Sequence, residues 1–338
     1  MSNLPPIEVP QGAIRLNTDS QKLEFFAQDR WYEFATEEGT GLAGRAFRSA
    51  SESGPAGTVI ETFNITTRGN SIDSGFDLSQ STGQMGASGS RTRAILAGGY
   101  TGGGNGQTYI QYFEMTALAN SIDFGDLLTQ YGRNTAHSNN TRCIITGSVS
   151  NVDDSIEFVT VASTGNATDF GSCVTNRETP AACGNRTRAI WGGGTGPNPY
   201  HTVTDMDFVT IASTGDALDF GDLTLARYSP SALSNGVRGV WGGGVPGSPY
   251  APINTMDFAT ISSTGNAQDF GDLQVATQNA LTASNATRGI FAGGSAPSRS
   301  SLMSFITIST KGDATRFGDL QNDSGGYGGN CDSHGGVI

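Results

Sequence analysis

The stretch "ALDFGDL" at residues 217–223 decides the reading of this chain, because it recurs. It returns as "SIDFGDL" (121–127), "ATDFGSC" (167–173), "AQDFGDL" (267–273) and "ATRFGDL" (314–320), with a weaker copy, "SIDSGFDL", at 71–78. With its glycine as the marker, Gly75, Gly125, Gly171, Gly221, Gly271 and Gly318 lie 50, 46, 50, 50 and 47 residues apart. A period near fifty residues suits one blade of a β-propeller, and six copies predict six blades.

Working outward from the motif, each unit holds about four short strands. "MDFATIS" (256–262) mixes β-branched and aromatic residues over a strand length, with little polar face. A Gly-Asn or Gly-Asp step follows in five units, as Gly265-Asn266 does here, and such pairs supply the positive φ of a tight hairpin turn. "DFGDL" is then the strand running back. A stretch of small alternating residues, such as "QVATQNALTASN" (274–285), leads into a short apolar strand that ends on glycines. That strand reads "RAILAGG" (93–99), "RCIITGS" (142–148), "RAIWGGG" (188–194), "RGVWGGG" (238–244) and "RGIFAGG" (288–294). In "RGVWGGG", Val240 and Trp241 are expected to pack between blades. No sustained helical period runs through 41–338, so the fold class is all-β, a six-bladed propeller. Counting "RAFRSAS" (45–51) and the terminal "GGVI" (335–338) gives one apolar strand too many, so "GGVI" is expected to pair with the first blade and close the ring.

Ahead of the repeats, residues 12–34 alternate as Ile14 and Leu16, Leu23 and Phe25, Trp31 and Phe34. Turns at Asn17–Ser20 and Ala27–Asp29 make this a three-strand meander. So short a meander needs something to pack against. The division is 1–40, an N-terminal β-meander for attachment or oligomerisation, and 41–338, the six-repeat propeller.

The chain of 338 residues carries 31 acidic against 19 basic residues, a net charge of -12, and would repel a phosphate backbone, which excludes nucleic acid as a partner. No apolar run is long enough to span a membrane, and "MSNLPPIEVPQG" lacks the basic and apolar regions of a secretory signal, so a soluble protein made in the cytosol is expected. Cys143, Cys173, Cys183 and Cys331 have no metal-like spacing and are expected to be buried free thiols; Cys173 and Cys183 meeting is the less favoured alternative.

Two resemblances follow from these residues. The order of apolar strand, Gly-Gly, variable loop, aromatic-bearing strand, hairpin and a segment like "LTLARYSPSALSNG" (223–236) looks like the kelch motif over 45–338, although "DFGDL" stands where that family usually places a tryptophan. The leading segment is similar to short modules of bacteriophage tail fibres and virion appendages, through Gly12, Ile14, Arg15, Asn17, Thr18, Asp19, Glu24, Phe26 in a tyrosine place, and Trp31. Combined with "DFVTIASTG"-type repeats, it resembles structural proteins of marine and cyanobacterial phages. The resemblance implies a virion protein, a tail-fibre or appendage component assembled in the host cytoplasm, that displays its propeller for host-surface attachment. It would contact other virion proteins through 1–40, touch a host surface glycan or protein, and assemble as a homo-oligomer, a trimer by analogy with fibres. The alternative is an architectural or capsid-decorating virion protein with no receptor.

Enzyme chemistry finds no support. The triplet "DFG" repeats too regularly to be a kinase metal-binding motif, and neither "GGYTGGGNG" (98–106) nor "GGGTGPNP" (192–199) has the Gly-Lys-Ser/Thr step of a phosphate loop. His137, His201 and His334 share no spacing, so no metal, cofactor or catalytic residue is assigned. The recurring carboxylates Asp123, Asp169, Asp219 and Asp269 admit two readings: they accept backbone hydrogen bonds at turns, the favoured one, or they ring a channel or hold calcium. The recurring Arg93, Arg142, Arg188, Arg238 and Arg288 are expected to make inter-blade ion pairs with the aspartates of "DFGD". Variation is concentrated just after the glycines, where Tyr100, Tyr109, Tyr200, His201 and Tyr250 are the candidate ligand-binding residues, since loops on a rigid scaffold carry binding and tyrosines stack on sugars.

Overall fold

A computed structural model describes residues 10, 12–17, 22–27, 30–33, 44–49, 57–81, 83–100, 106–147, 154–196, 201–295, 298–324 and 329–331. The chain divides into two compact units, Met1–Ala43 and Gly44–Ile338. In the first, the strands Ile14–Asn17, Lys22–Ala27 and Arg30–Glu33 form an antiparallel meander in sequence order. Four of the residues that carry the resemblance to phage modules, Arg15, Glu24, Phe26 and Trp31, lie together on one of its faces. Arg15 pairs with Glu24 at 2.7 Å and lies over the Trp31 ring at 4.1 Å, and Phe26 meets Trp31 edge-on at 5.3 Å. This part of the motif is thus an ion pair against the Trp31 ring, with Phe26 packed on that ring.

In the second unit the described residues are strands and connections without a helix, and they form the six-bladed propeller expected from the repeat. Blade 5 shows the pattern, from the inside outward: Ser231–Ser234, Arg238–Gly242, Thr255–Thr260 and Gln268–Asp272, all antiparallel. The innermost strands, Gly86–Gly89, Asn134–Ser138, Ala181–Gly184, Ser231–Ser234, Leu281–Ser284 and Gly329–Cys331, touch one another in a closed ring. The last of these comes from the C-terminal end of the chain and pairs with Arg45–Ser49 of blade 1, with Cys331 opposite Ala46. Closure therefore joins the two ends of the repeat region, but through residues 329–331; "GGVI" lies outside the described residues. "GNC" has no apolar run that would mark it as a strand.

Why four-stranded blades stack is visible in the alternation along Arg238–Gly242. Val240 packs with Phe291 and Ile306 on the side of blade 6, and Trp241 packs with Phe220 and Ala181 on the side of blade 4. Both are fully buried, and the Trp241 indole donates to the Ala181 carbonyl at 3.0 Å. An aromatic side chain so placed contributes about 2–3 kcal/mol of burial. Both faces of the sheet are apolar because both are interfaces, which is why the strands lack a polar side.

The repeated motif itself forms the outer junction. In each blade a bulge interrupts the pairing of the third and fourth strands, falling in blade 5 between Met256 and Asp257, opposite Phe270. A bulge re-aims one side chain, and here Phe270 turns inward to meet Phe258 edge-on at 5.9 Å, as Phe220 meets Phe208 and Phe170 meets Phe158. Next to it, the glycine lets the following blade come close: a Cβ on Gly221 (φ 137°) would sit 2.5 Å from the Gly265 carbonyl carbon. The Gly-Asn pair is therefore not a tight hairpin turn. Seven residues, 261–267, connect the third and fourth strands of blade 5, and the pair lies along the fourth strand of blade 4. The Gly265 N–H donates to Phe220 O at 2.6 Å, the Ala267 N–H to Asp222 O at 2.7 Å, and Asn266 Oδ1 accepts the Asp222 N–H at 3.2 Å. The last two bonds recur at all six junctions, down to Ser71 and Asn70, which hold Asp319 of blade 6.

Gly221→Ala is expected to lower stability by about 2–4 kcal/mol, since it adds both overpacking and a strained φ. Gly265→Ala, whose φ is 149° but whose Cβ would meet nothing within 4 Å, is expected to cost about half as much. Urea unfolding of the two variants side by side checks the difference.

Candidate ligand site at the channel mouth

The channel along the propeller axis is narrow because small residues line it. Ala87, Ala136, Ala182, Ala232 and Thr282 take equivalent places on the inner strands, and the two free volumes among them are about 80 Å³ each. At one mouth it widens into a pocket of about 480 Å³. The floor is a ring of repeat-equivalent residues just ahead of the inner strands: Gln84, Arg133, Thr179, Ser229 and Asn279. All but Arg133 adopt positive φ, at 57°, 56°, 52° and 56°. The β-branched Thr179 is a genuine outlier in that region, and such strain gathers at functional sites. A backbone chain ties the floor together, with the Ser229 N–H donating to Thr179 O at 3.2 Å and the Asn279 N–H to Ser229 O at 3.1 Å.

The wall is built from the segments that follow the glycines of blades 4 and 5. Gly243 and Gly244 have φ of 67° and 98°, and the Gly244 N–H donates to Thr277 O at 2.8 Å, so the chain hugs blade 6 before it rises. Thr195, His201 and Thr202 contribute from blade 4, and Gly247 and Tyr250 from blade 5, with Tyr228 beside them. Of the candidate residues, His201 and Tyr250 come together here, both exposed. Tyr100 stays outside, its ring packed against Gly132 and beneath the Arg133 guanidinium at 5.6 Å. Tyr109 is remote from the mouth; its hydroxyl meets Ser79 Oγ at 3.1 Å. Tyr200 lies outside the described residues. Within the pocket Arg133 pairs with Glu178 at 3.2 Å and donates to Gln84 at 3.2 Å, so the one guanidinium is matched to the one carboxylate.

The recurring arginines do bridge blades, with a different partner from the one expected. Arg142 donates to Ile211 O and Ala212 O, Arg188 to Ile261 O, Arg238 to Ile308 O and Ser309 O, and Arg288 to Ile65 O and Thr66 O, each reaching the next blade. Arg93 reaches Val161 O and also pairs with Glu114 at 2.6 Å. Every one lies over an aromatic ring of its own blade's third strand, such as Phe258 at 4.9 Å from Arg238. The aspartates expected to pair with them, Asp123, Asp169, Asp219 and Asp269, are exposed on the fourth strand, the one farthest from the channel, and so do not ring it. Among the described residues no group of His, Cys, Asp and Glu is arranged to hold a metal ion.

Polar residues outside the repeated motifs hold the blades from within. The third strands carry Glu61, Gln111, Glu157, Asp207, Asp257 and Ser304 at one repeat position, and all six are buried. Each faces the segment that arrives from the preceding blade: Asp257 accepts from Thr224 N–H and Oγ1, Glu157 from the Leu128 and Thr129 N–H groups, Glu61 from Gln321 and Asn322. In blade 5 Arg227 joins Asp257 at 2.7 Å with both side chains fully buried; Arg177 pairs with Asp207, and Arg48 with Glu61 at 2.8 Å. Burial lowers the pKa of Arg48 and Arg227, and burial raises that of Asp207 against the pull of Arg177. Glu157, with no arginine in its hydrogen-bond set, is likewise raised by burial, opposed by the N–H groups it accepts. The signal was present as one polar residue inside "VIETF", "YIQYF", "SIEFV", "MDFVT" and "MDFAT". The thiols are free, as expected, but only Cys143 and Cys183 are buried, while Cys173 and Cys331 are half-buried. Burial pushes Cys143 to about 12 and Cys173 to about 11, and Cys183 higher still.

Compared with the models of known protein families and with curated proteins, the chain matches none.

Asp257→Ala strands a buried guanidinium and is expected to cost about 3–5 kcal/mol, read by denaturant unfolding. Because the folded-state pKa of Glu157 lies above its unfolded value, its contribution to stability is complete at acid pH and is lost as the pH rises through the raised pKa. Melting curves of wild type and Glu157→Gln from about pH 4 to about pH 8 should therefore diverge toward high pH, with wild type the relatively weaker; parallel curves would refute the shift.

Proposed function

We propose that this chain is a non-enzymatic structural protein of a bacteriophage virion, a tail-fibre or appendage component that displays its propeller for host-surface attachment. The observation that carries the reading is the joining of two parts. One is a meander whose Arg15, Glu24, Phe26 and Trp31 cluster contains four of the residues shared with phage appendage modules. The other is a closed, kelch-like scaffold whose variable loops from blades 4 and 5 surround a pocket. Residues 1–40 would attach the chain to other virion proteins, in a homotrimer by analogy with fibres, and the channel-mouth loops would meet the host surface.

One observation favours the architectural alternative. Leu128, Val174, Leu225 and Val275 are exposed aliphatic residues at or just beyond the fourth strands, and apolar surface of this kind suits packing against a neighbouring virion protein. Antibody against the chain is expected to label the particle of the phage that encodes it, and added full-length protein is expected to slow adsorption to host cells by about tenfold at saturation. Labelling without any effect on adsorption would favour the decorating role, and an unlabelled particle would end both readings.

A further inference from the structure

We propose that the pocket at the channel mouth binds one terminal ring of an uncharged glycan, stacked on Tyr250 and hydrogen-bonded through its hydroxyls to Thr179 and Asn279. The inference rests on the reading of the propeller as a binding scaffold and names what the scaffold would take.

Size comes first. At about 480 Å³ the pocket is six times the free volume of either channel cavity and lies in the range of small-ligand sites, roughly 300–1,000 Å³. It admits a sugar ring with part of a second, and the channel below, walled by alanines, stops anything larger from passing.

The polar groups then select the ligand. Thr179 and Asn279 line the pocket, and Thr179 Oγ1 and Asn279 Oδ1, covered in the free protein, have no hydrogen-bond partner there, so a side-chain rotation would bring each to a ligand. Thr179 as a residue is 8% exposed. An orphaned buried polar atom costs about 1–3 kcal/mol, a cost that a bound partner would remove. An amide oxygen only accepts, so it calls for a ligand O–H or N–H and gains nothing from a phosphate or carboxylate oxygen. Nor is there an unmatched guanidinium to draw an anion, since Arg133 already faces Glu178. A ligand rich in hydroxyls and without charge answers both conditions.

The third element is a flat apolar surface. Tyr250 is 72% exposed, with its backbone at φ 60°, and Tyr228 lines the same wall. Rigid tyrosines beside serine, glycine and asparagine make up a recognition surface that combines contact area with adaptable hydrogen bonding, and here they meet as Tyr228, Tyr250, Ser229, Gly247 and Asn279. The C–H face of a pyranose lies on such a ring while its hydroxyls reach the floor.

The test uses the full-length protein on an array of neutral and acidic oligosaccharides, followed by calorimetric titration with the best-bound neutral disaccharide. A neutral glycan is expected to bind with Kd on the order of 0.1–1 mM. Tyr250→Ala, Thr179→Val and Asn279→Ala are each expected to weaken it by about five- to tenfold. Thr179→Val should leave the melting temperature of the free protein unchanged or raised, because the hydroxyl it removes has no partner to lose. Binding of acidic glycans alone, no binding at all, or full affinity in Tyr250→Ala and Thr179→Val together would overturn the inference. Particle labelling and blocked adsorption without neutral-sugar binding would sink the site while leaving the attachment role; sugar binding without either would do the reverse.

Discussion

Everything in the propeller depends on one backbone contact: the "DFGD" strand of each blade laid against the Gly-Asn segment of the next. A β-blade ends in an outer strand with unpaired N–H and C=O groups, and six such edges around a ring would be six sites for aggregation. Here each edge is partly satisfied by the neighbour. The carbonyl and N–H of the residue at the final "D" position are both taken, and in four junctions the carbonyl of the phenylalanine is taken as well. Such bonds contribute about 1 kcal/mol each, but they require the two backbones to approach where a Cβ would collide. That requirement explains the glycine of "DFGD", whereas the glycine of the Gly-Asn pair, whose Cβ would meet nothing, is called for by its positive φ, 149° at Gly265.

The same junction organises the layers inside it. Since the outer edges are fixed in register, the third-strand position occupied by Glu61, Gln111, Glu157, Asp207, Asp257 and Ser304 always faces the chain arriving from the previous blade. A buried acid there accepts the N–H groups of the arriving segment, and where an arginine is also delivered, as Arg227 is, a buried ion pair forms. Further in, the arginines at the strand entrances cap the carbonyls that end the next blade's third strand while resting on their own blade's aromatic ring. Polar groups thus sit at each radial level of an otherwise apolar interface; Arg48–Glu61 and Arg93–Glu114 pair within one blade, while the other contacts cross between blades and favour one register over slipped ones.

Against that regularity, the channel mouth is where the repeats differ. The floor keeps the logic of the repeat in Gln84, Arg133, Thr179, Ser229 and Asn279, but the identities vary, and among the described residues it is the loops of blades 4 and 5 that raise His201 and Tyr250 beside it. A scaffold built from near-identical parts acquires this off-axis pocket because the loops, unlike the strands, carry no duty in closing the ring.

Much of this was legible in the chain itself. Period, strand pattern and the all-β class follow from local chemistry that repeats six times, and repetition compensates for weak local signals, as it did for the copy "SIDSGFDL". The meander was equally local, since its strands pair with their sequence neighbours. What could not be read were pairings between residues far apart in the chain. Arg238 meets carbonyls 70 and 71 residues away rather than an aspartate, and Cys331 faces Ala46 although nothing in "GNC" announces a strand. Of the candidate loop residues, His201 and Tyr250 share a pocket while Tyr100 and Tyr109 do not. The sequence by itself determined which segments become strands and how many blades they make, because those choices depend on neighbours a few residues apart. Only the tertiary structure decided the closing strand, the partners of the arginines and the membership of the pocket, because these depend on which blades the ring brings into contact.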